Sequence, residues 1–292
     1  MTEAPADWAA LWAACPQLSN IHASADGRWA FWCWQGMTET DEVWCAPLDG
    51  SAPPRRLTHG QDHFLIRDVS PDGARLLLAQ SVNACEHDHL LLLDRDSGAL
   101  KQLTPTQSTH YVYGGCFSAD GTRVFFLADV DYATGEVTQG SWLWSQDLAT
   151  GARTCLARAD SPPHFYVGPK LSPDGTRLLW HRSERDPGGY QLWTIGSDGT
   201  GLREVLNLGP KNNVLADWLD DDRIAFVAEH DDRDRLGTLT LSTGAIDWIA
   251  GEPELCPHDV LAGTGTAFVC IHHDQSNTRA ALVEGGTLRA LP

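Results

Sequence analysis

The histidines are the residues of this chain best suited to chemistry. Glu86-His87-Asp88-His89 and His272-His273-Asp274 set imidazoles beside carboxylates, and His59 and His63 bracket the junction between the first two repeat units. Such side chains suit a divalent metal if three or more are brought to one point. The plainer reading of two histidines at i, i+2 in a polar loop is solvated or loop-capping side chains. A serine nucleophile has no comparable signal. The Gly-x-Ser-x-Gly elbow that seats an activated serine on a strand-to-helix turn is absent, and so is the strand–helix alternation of a hydrolase domain. The run Glu229-His230-Asp231-Asp232-Arg233-Asp234-Arg235 mixes charges and reads as a self-paired exposed hairpin rather than a cation site. Eight cysteines (Cys15, Cys33, Cys45, Cys85, Cys116, Cys155, Cys256 and Cys270) include no Cys-x-x-Cys pair, which argues against structural zinc. Cys33 and Cys45 flank one hairpin loop, where a bridge is one reading; Cys116 and Cys270 fall in apolar strands as small hydrophobes. No catalytic, cofactor-binding or metal-ligating residue is assigned.

The elements that must position these groups are set by a repeat. Ser24-Ala25-Asp26-Gly27, Ser70-Pro71-Asp72-Gly73, Ser118-Ala119-Asp120-Gly121 and Ser172-Pro173-Asp174-Gly175 place their aspartates 46, 48 and 54 residues apart. Before each lies a short strand such as Phe64–Val69. After each comes an apolar strand: Trp29–Trp32, Arg75–Ala79, Val124–Leu127 and Arg177–Trp180. Glycine accepts φ > 0 and aspartate bonds its own backbone, so the shared phrase predicts a tight turn. A third strand such as His89–Asp94 and a second glycine turn (Gly98, Gly151, Gly199, Gly244) lead to a short edge strand. A period of this length with four strands per unit predicts an all-β fold, a β-propeller of four-stranded antiparallel blades.

Two degenerate units extend the count. Trp218–Phe226 keeps the turn without its glycine, and Val260–Val269 keeps the glycine without its aspartate, at further spacings of 47 and 43 residues. Six blades are legible, and seven-bladed rings are equally familiar. Asp7–Ala14, with Trp8 and Leu11 or Trp12 on one face, reads as a short amphipathic helix stopped by Pro16. The expected organisation is therefore a helical segment over 1–18 and a propeller over 19–292. Trp29, Trp32, Trp34 and Trp44 cluster in the first unit, where packing between blades is a plainer account than a ligand-binding aromatic face.

Composition narrows the function classes. A formal charge of −18 on 292 residues opposes phosphate-backbone contacts and anionic lipid surfaces, so neither nucleic acid nor membrane is an expected partner. No run of 18 apolar residues occurs. Acidic residues in the first seven positions, with no basic n-region, do not read as a secretory leader. Together with the scattered thiols this predicts a cytoplasmic protein.

The phrase Ser-Pro-Asp-Gly-x-Arg-Leu, paired with Asp-x-x-Ser/Thr-Gly-x-x-x-x-Leu-Thr, resembles the repeats of TolB and of the N-terminal propeller of prolyl oligopeptidase-family serine peptidases. The late unit Asp234–Trp248 and the stretch Asn277–Val283 are similar to the later blades of the peptidases. The peptidase resemblance implies a non-catalytic domain that gates peptide substrates for an α/β-hydrolase domain, with no triad residue to carry over. The TolB resemblance implies a free-standing propeller that docks a protein partner. The repeats are also similar to those of oligogalacturonate lyases, whose metal is held by His and Gln side chains; Gln61 or Gln275 would join the histidines in that case. No cofactor is assigned.

Overall fold

The computed structural model describes residues 17–291 apart from 36–39, 61, 83–84, 86, 106–109, 161–166, 185–187, 211, 250–255, 262–266, 275–276 and 285; through 258–278 the description is of backbone pairing. The segment expected to be helical over 1–18 lies, up to residue 16, outside the described residues.

Among the described residues six four-stranded antiparallel sheets form, each from four consecutive strands. The first is β1 (Gln17–Ala23), β2 (Trp29–Gln35), β3 (Glu42–Pro47) and β4 (Arg55–Arg56); the second is β5 (His63–Val69), β6 (Arg75–Ser81), β7 (His89–Asp94) and β8 (Leu100–Gln102). The third comprises β9 (Val112–Phe117), β10 (Arg123–Asp131), β11 (Glu136–Asp147) and β12 (Arg153–Ala157). The fourth comprises β13 (Lys170–Leu171), β14 (Arg177–Arg182), β15 (Gln191–Gly196) and β16 (Arg203–Leu206). The fifth has β17 (Leu215–Trp218), β18 (Arg223–Glu229), β19 (Asp234–Thr240) and β20 (Ala245–Trp248), and the sixth β21 (Cys256–Leu261), β22 (Ala267–Asp274), β23 (Asn277–Glu284) and β24 (Thr287–Ala290). These are the blades of an all-β propeller, at the places the repeat predicts. The chain divides into two compact units, one running to Val130 with Gln146–Ala152 and the other comprising Asp131–Ser145 with Arg153 onward.

Each Ser-x-Asp-Gly turn is one hydrogen-bonded device. The serine hydroxyl donates to the aspartate Oδ1 at 2.6, 2.5, 2.6 and 2.6 Å in the four copies. The same Oδ1 accepts the backbone N–H two residues on, from Arg28, Ala74, Thr122 and Thr176. The serine Oγ in turn accepts the N–H of the first residues of the apolar strands, Trp29, Arg75, Arg123 and Arg177. The glycines sit at φ 67, 65, 67 and 74°, where a Cβ is strained. These bonds hold the carboxyls below the usual carboxylate range, Asp26 and Asp120 at about 2. In the degenerate fifth unit, Asp220 Oδ1 takes over by accepting the N–H groups of Asp222 and Arg223, while Arg223 pairs with its Oδ2.

The second strands β6, β10, β14 and β18 are buried on successive residues, not on alternate ones. Both of their faces are covered, which is why the sequence shows apolar runs there. Phe31, Cys33, Val43 and Cys45 of the first sheet pack on Phe64, Ile66, Leu76 and Leu78 of the second. In the other unit, Leu179 and Leu192 pack on Trp218, Ile224 and Phe226, and the opposite side of the fifth sheet packs Ala225 and Val227 against Ala281 and Val283. Arginines tie successive sheets: Arg75 Nη2 donates to Gly121 O at 2.9 Å, and Arg177 donates to Asp221 O. Arg95 donates to Gly73 O and lies 4.3 Å over the Trp29 ring. The outer strands carry Arg55, Arg56, Lys101, Arg153 and Arg203, charges that discourage edge-to-edge pairing.

Trp32, Trp34 and Trp44 share the face of the first sheet opposite Phe31 and Cys33 and are half-buried, while Trp29 packs at the edge of the core. Cys33 and Cys45 are separate buried thiols, so the hairpin bridge does not form; their strands place Cys33 opposite Val43 and Cys45 opposite Phe31. Glu229–Arg235 is the hairpin expected from its charges: His230 N–H bonds Arg233 O, and Asp231 pairs with Arg235 at 3.2 Å. Asp231 and Asp232 both take positive φ, 54 and 60°, the pattern of a type I′ turn.

Two variants test this account by urea unfolding. Ser70→Ala removes a buried hydroxyl and strands the Arg75 N–H, so it destabilises by about 1–2 kcal/mol. Asp232→Gly relieves a left-handed residue and stabilises by roughly 0.5–1 kcal/mol; an unchanged midpoint in either case contradicts the corresponding turn.

Candidate functional site

The histidines of the second sheet gather at the end opposite its Asp-Gly turn. The β6–β7 connection carries Cys85, His87 and Asp88, His89 opens β7, and the approach to β9 brings His110 and Tyr111. His89 and His110 are buried. Burial pulls both imidazoles below their ordinary range; Asp88 opposes this at His89, and charge on His87 and His89 adds to it at His110. Burial likewise pushes the Asp88 carboxyl up against the pull of Arg67, its partner at 3.0 Å, and pushes Asp129 up against the N–H of Tyr111, which donates to it at 2.5 Å. At Asp88, Asp129, His89 and His110 burial opposes the charged form of each side chain. Gln80 Nε2 donates to Asp62 at 2.9 Å beside it.

An aromatic stack forms one wall. His87 lies on Tyr111 with ring centroids 4.2 Å apart, and Tyr111 lies on Tyr113 at 5.5 Å. Cys85 Sγ is 3.1 Å from His87 Nδ1. His87 and Tyr111, both half-buried, are the ring faces of this cluster that reach the surface, and they suit stacking on a small polar group or a peptide side chain.

Not every histidine of the sequence joins it. His63 pairs with Asp41 at 3.2 Å, and His59 is exposed. His272 and His273 lie in β22, paired with Arg279 and Thr278 of β23, and their side chains, with Gln61 and Gln275, are outside the described residues. Among the described residues no three His, Cys, Asp or Glu side chains are grouped to hold a metal ion.

A second set went unnoticed in the sequence although its spacing is regular. The residue four before each turn aspartate is His22, Asp68, Cys116, Lys170 or, at the Asp221 turn, Asp217. These first strands are bulged in the first three sheets, and bulges re-aim side chains. Asp68 accepts the N–H of Phe117 at 2.7 Å and of Val69 at 2.8 Å. Burial nonetheless pushes its carboxyl up to about 6. In the other unit Asp217 pairs with Lys170 at 3.1 Å. At the third-sheet bulge, a Cβ on Gly115 would lie 2.6 Å from Leu77 Cδ2, so only glycine allows that approach.

No protein-family model matches the chain. Tricorn protease homolog 1 of Streptomyces coelicolor is 27% identical over 201 residues, which are 66% of this chain and 18% of that protein. Among solved structures, a prolyl endopeptidase studied for inter-domain dynamics in catalysis and specificity superposes with a TM-score of 0.72 at 14% identity, over 96% of this chain and 43% of the other. A TolB protein from Agrobacterium tumefaciens gives 0.57 at 19% identity over 80% of both chains. An oligogalacturonate lyase in complex with manganese gives 0.68 at 15%, over 91% of this chain and 74% of the other. What these solved structures share with the chain is the β-propeller fold. The chain spans less than half the length of the Tricorn homologue and of the prolyl endopeptidase.

The Asp68 carboxyl supplies a pH test. Its pKa is raised in the folded state, so its stabilising effect is complete below about 4 and is lost as pH rises through about 6. Asp68→Asn, which keeps an acceptor oxygen, gains about 3 kcal/mol relative to the wild type between pH 4 and 8. A difference that does not change with pH, measured by urea unfolding across that range, contradicts the assignment.

Proposed function

We propose that this chain is the non-catalytic, substrate-gating propeller of a prolyl oligopeptidase-type serine peptidase. The observation that carries this reading is one of coverage: 96% of the chain superposes on 43% of a prolyl endopeptidase, and a Tricorn protease homologue likewise matches over 18% of its length. In both, the matching part is a module of a larger protein. The mechanism would be steric and electrostatic. A propeller admits short peptides and excludes folded chains, and a charge of −18 favours cationic peptides over anionic ones. The half-buried His87–Tyr111 pair at the loop end of the second sheet supplies contacts for such a peptide. Cys33, Cys45, Cys85, Cys116 and Cys155 form no disulfide, which supports a cytoplasmic setting.

A free-standing propeller that docks a protein is the second reading, favoured by the TolB match over 80% of both chains. The lyase reading rests on the match over 91% of this chain and 74% of the manganese-bound lyase.

Capture of the native polypeptide from its own cells with an antibody, followed by labelling with a fluorophosphonate, separates the first two. Gating predicts a labelled band of roughly twice 31.9 kDa, as a further domain of about 200–250 residues would give. An unlabelled band at the mass of this chain, with no labelled partner captured beside it, overturns gating and leaves docking.

A further inference from the structure

Of the five cysteines whose side chains are described, four are poor nucleophiles by position. Cys33, Cys45 and Cys116 are buried. Burial pushes the Cys33 thiol up to about 11 and also raises Cys45 and the half-buried Cys155. Cys85 differs in its surroundings. It is half-buried in the β6–β7 connection, and His87 Nδ1 lies 3.1 Å from its sulfur. The imidazole is itself held by a third group, since its ring stacks on Tyr111 at 4.2 Å, and the Tyr111 backbone is fixed by Asp129. The Cys85 carbonyl accepts the Ser81 hydroxyl, which fixes the backbone on the sulfur side. A nucleophile in reach of a base, with the base oriented by a further residue, is the arrangement that activates a thiol.

We propose that Cys85 and His87 form a nucleophile–base pair, making Cys85 a modification site for small, neutral, soft electrophiles. In the reaction with an alkyl halide, a bond forms between Sγ and the electrophilic carbon, the carbon–halogen bond breaks and halide leaves. The thiol proton passes to His87 Nδ1. No oxidant or metal enters the step. The site is independent of the peptidase reading, because it requires no second domain.

Limited alkylation of the native protein with iodoacetamide at pH 7.5, quenched and mapped by mass spectrometry, gives the rate at each cysteine. With its proton taken up by His87, Cys85 reacts about tenfold faster than Cys155, whose thiol burial keeps protonated. His87→Gln abolishes the advantage at Cys85 and leaves the Cys155 rate unchanged. His87→Asn serves as a second variant, and unfolding midpoints show whether each variant retains the fold. Equal rates at Cys85 and Cys155 in the wild type, or a Cys85 rate untouched in whichever folded variant is measured, overturn the pair.

Discussion

In the first four blades the frame is set by hydrogen bonds among a serine hydroxyl, an aspartate carboxylate and two backbone N–H groups. Each Ser-x-Asp-Gly turn closes the hairpin between the first and second strands of a blade, and its glycine makes the left-handed step that the closure needs. Once the hairpin is fixed, the apolar second strand is held in register with both faces available for burial. A slip of one residue would exchange those faces and leave the turn bonds unmade. The turns are also where one sheet grips the next, through Arg75 to Gly121 and Arg177 to Asp221. Local closure and neighbour contact therefore reside in the same few residues.

Most of the fold was legible in the sequence because the constraint is local. Pro71-Asp72-Gly73 and its copies specify backbone conformation over four residues, and the runs Leu76–Ala79 and Val124–Leu127 follow at fixed distance. The third strand His89–Asp94 appears at the limits its composition implies. The role of the serine was less legible, since its bonds run to an N–H five residues away that becomes a neighbour only after the turn has closed. The fifth unit shows the same physics with other residues: Asp220 accepts the N–H groups that Ser and Asp share elsewhere.

The candidate site was visible only in part. His87, Asp88 and His89 stand together in the chain, but His110, Tyr111 and Asp129 arrive from the next sheet, and no sequence spacing announces that meeting. The bulged first strands are an intermediate case. His22, Asp68 and Cys116 recur four residues before each aspartate, a signal available to anyone aligning the turns. What made it hard to use is that the residue types differ, so the position repeats and the chemistry does not. This is how a repeat scaffold acquires function: identical turns hold the frame while side chains at equivalent places diverge.

At the Asp72 and Asp174 turns the residues that close a hairpin also secure the neighbouring sheet. Hydrogen exchange on Arg75→Ala tests it most directly, because that arginine reaches the Gly121 carbonyl from the preceding sheet. The account predicts faster exchange at the amides of Gly121, Thr122 and Arg123, with the Ser70–Arg75 turn retaining its protection through bonds that involve only the Arg75 backbone. Unchanged exchange at 121–123, with any loosening confined to the second sheet, would contradict it.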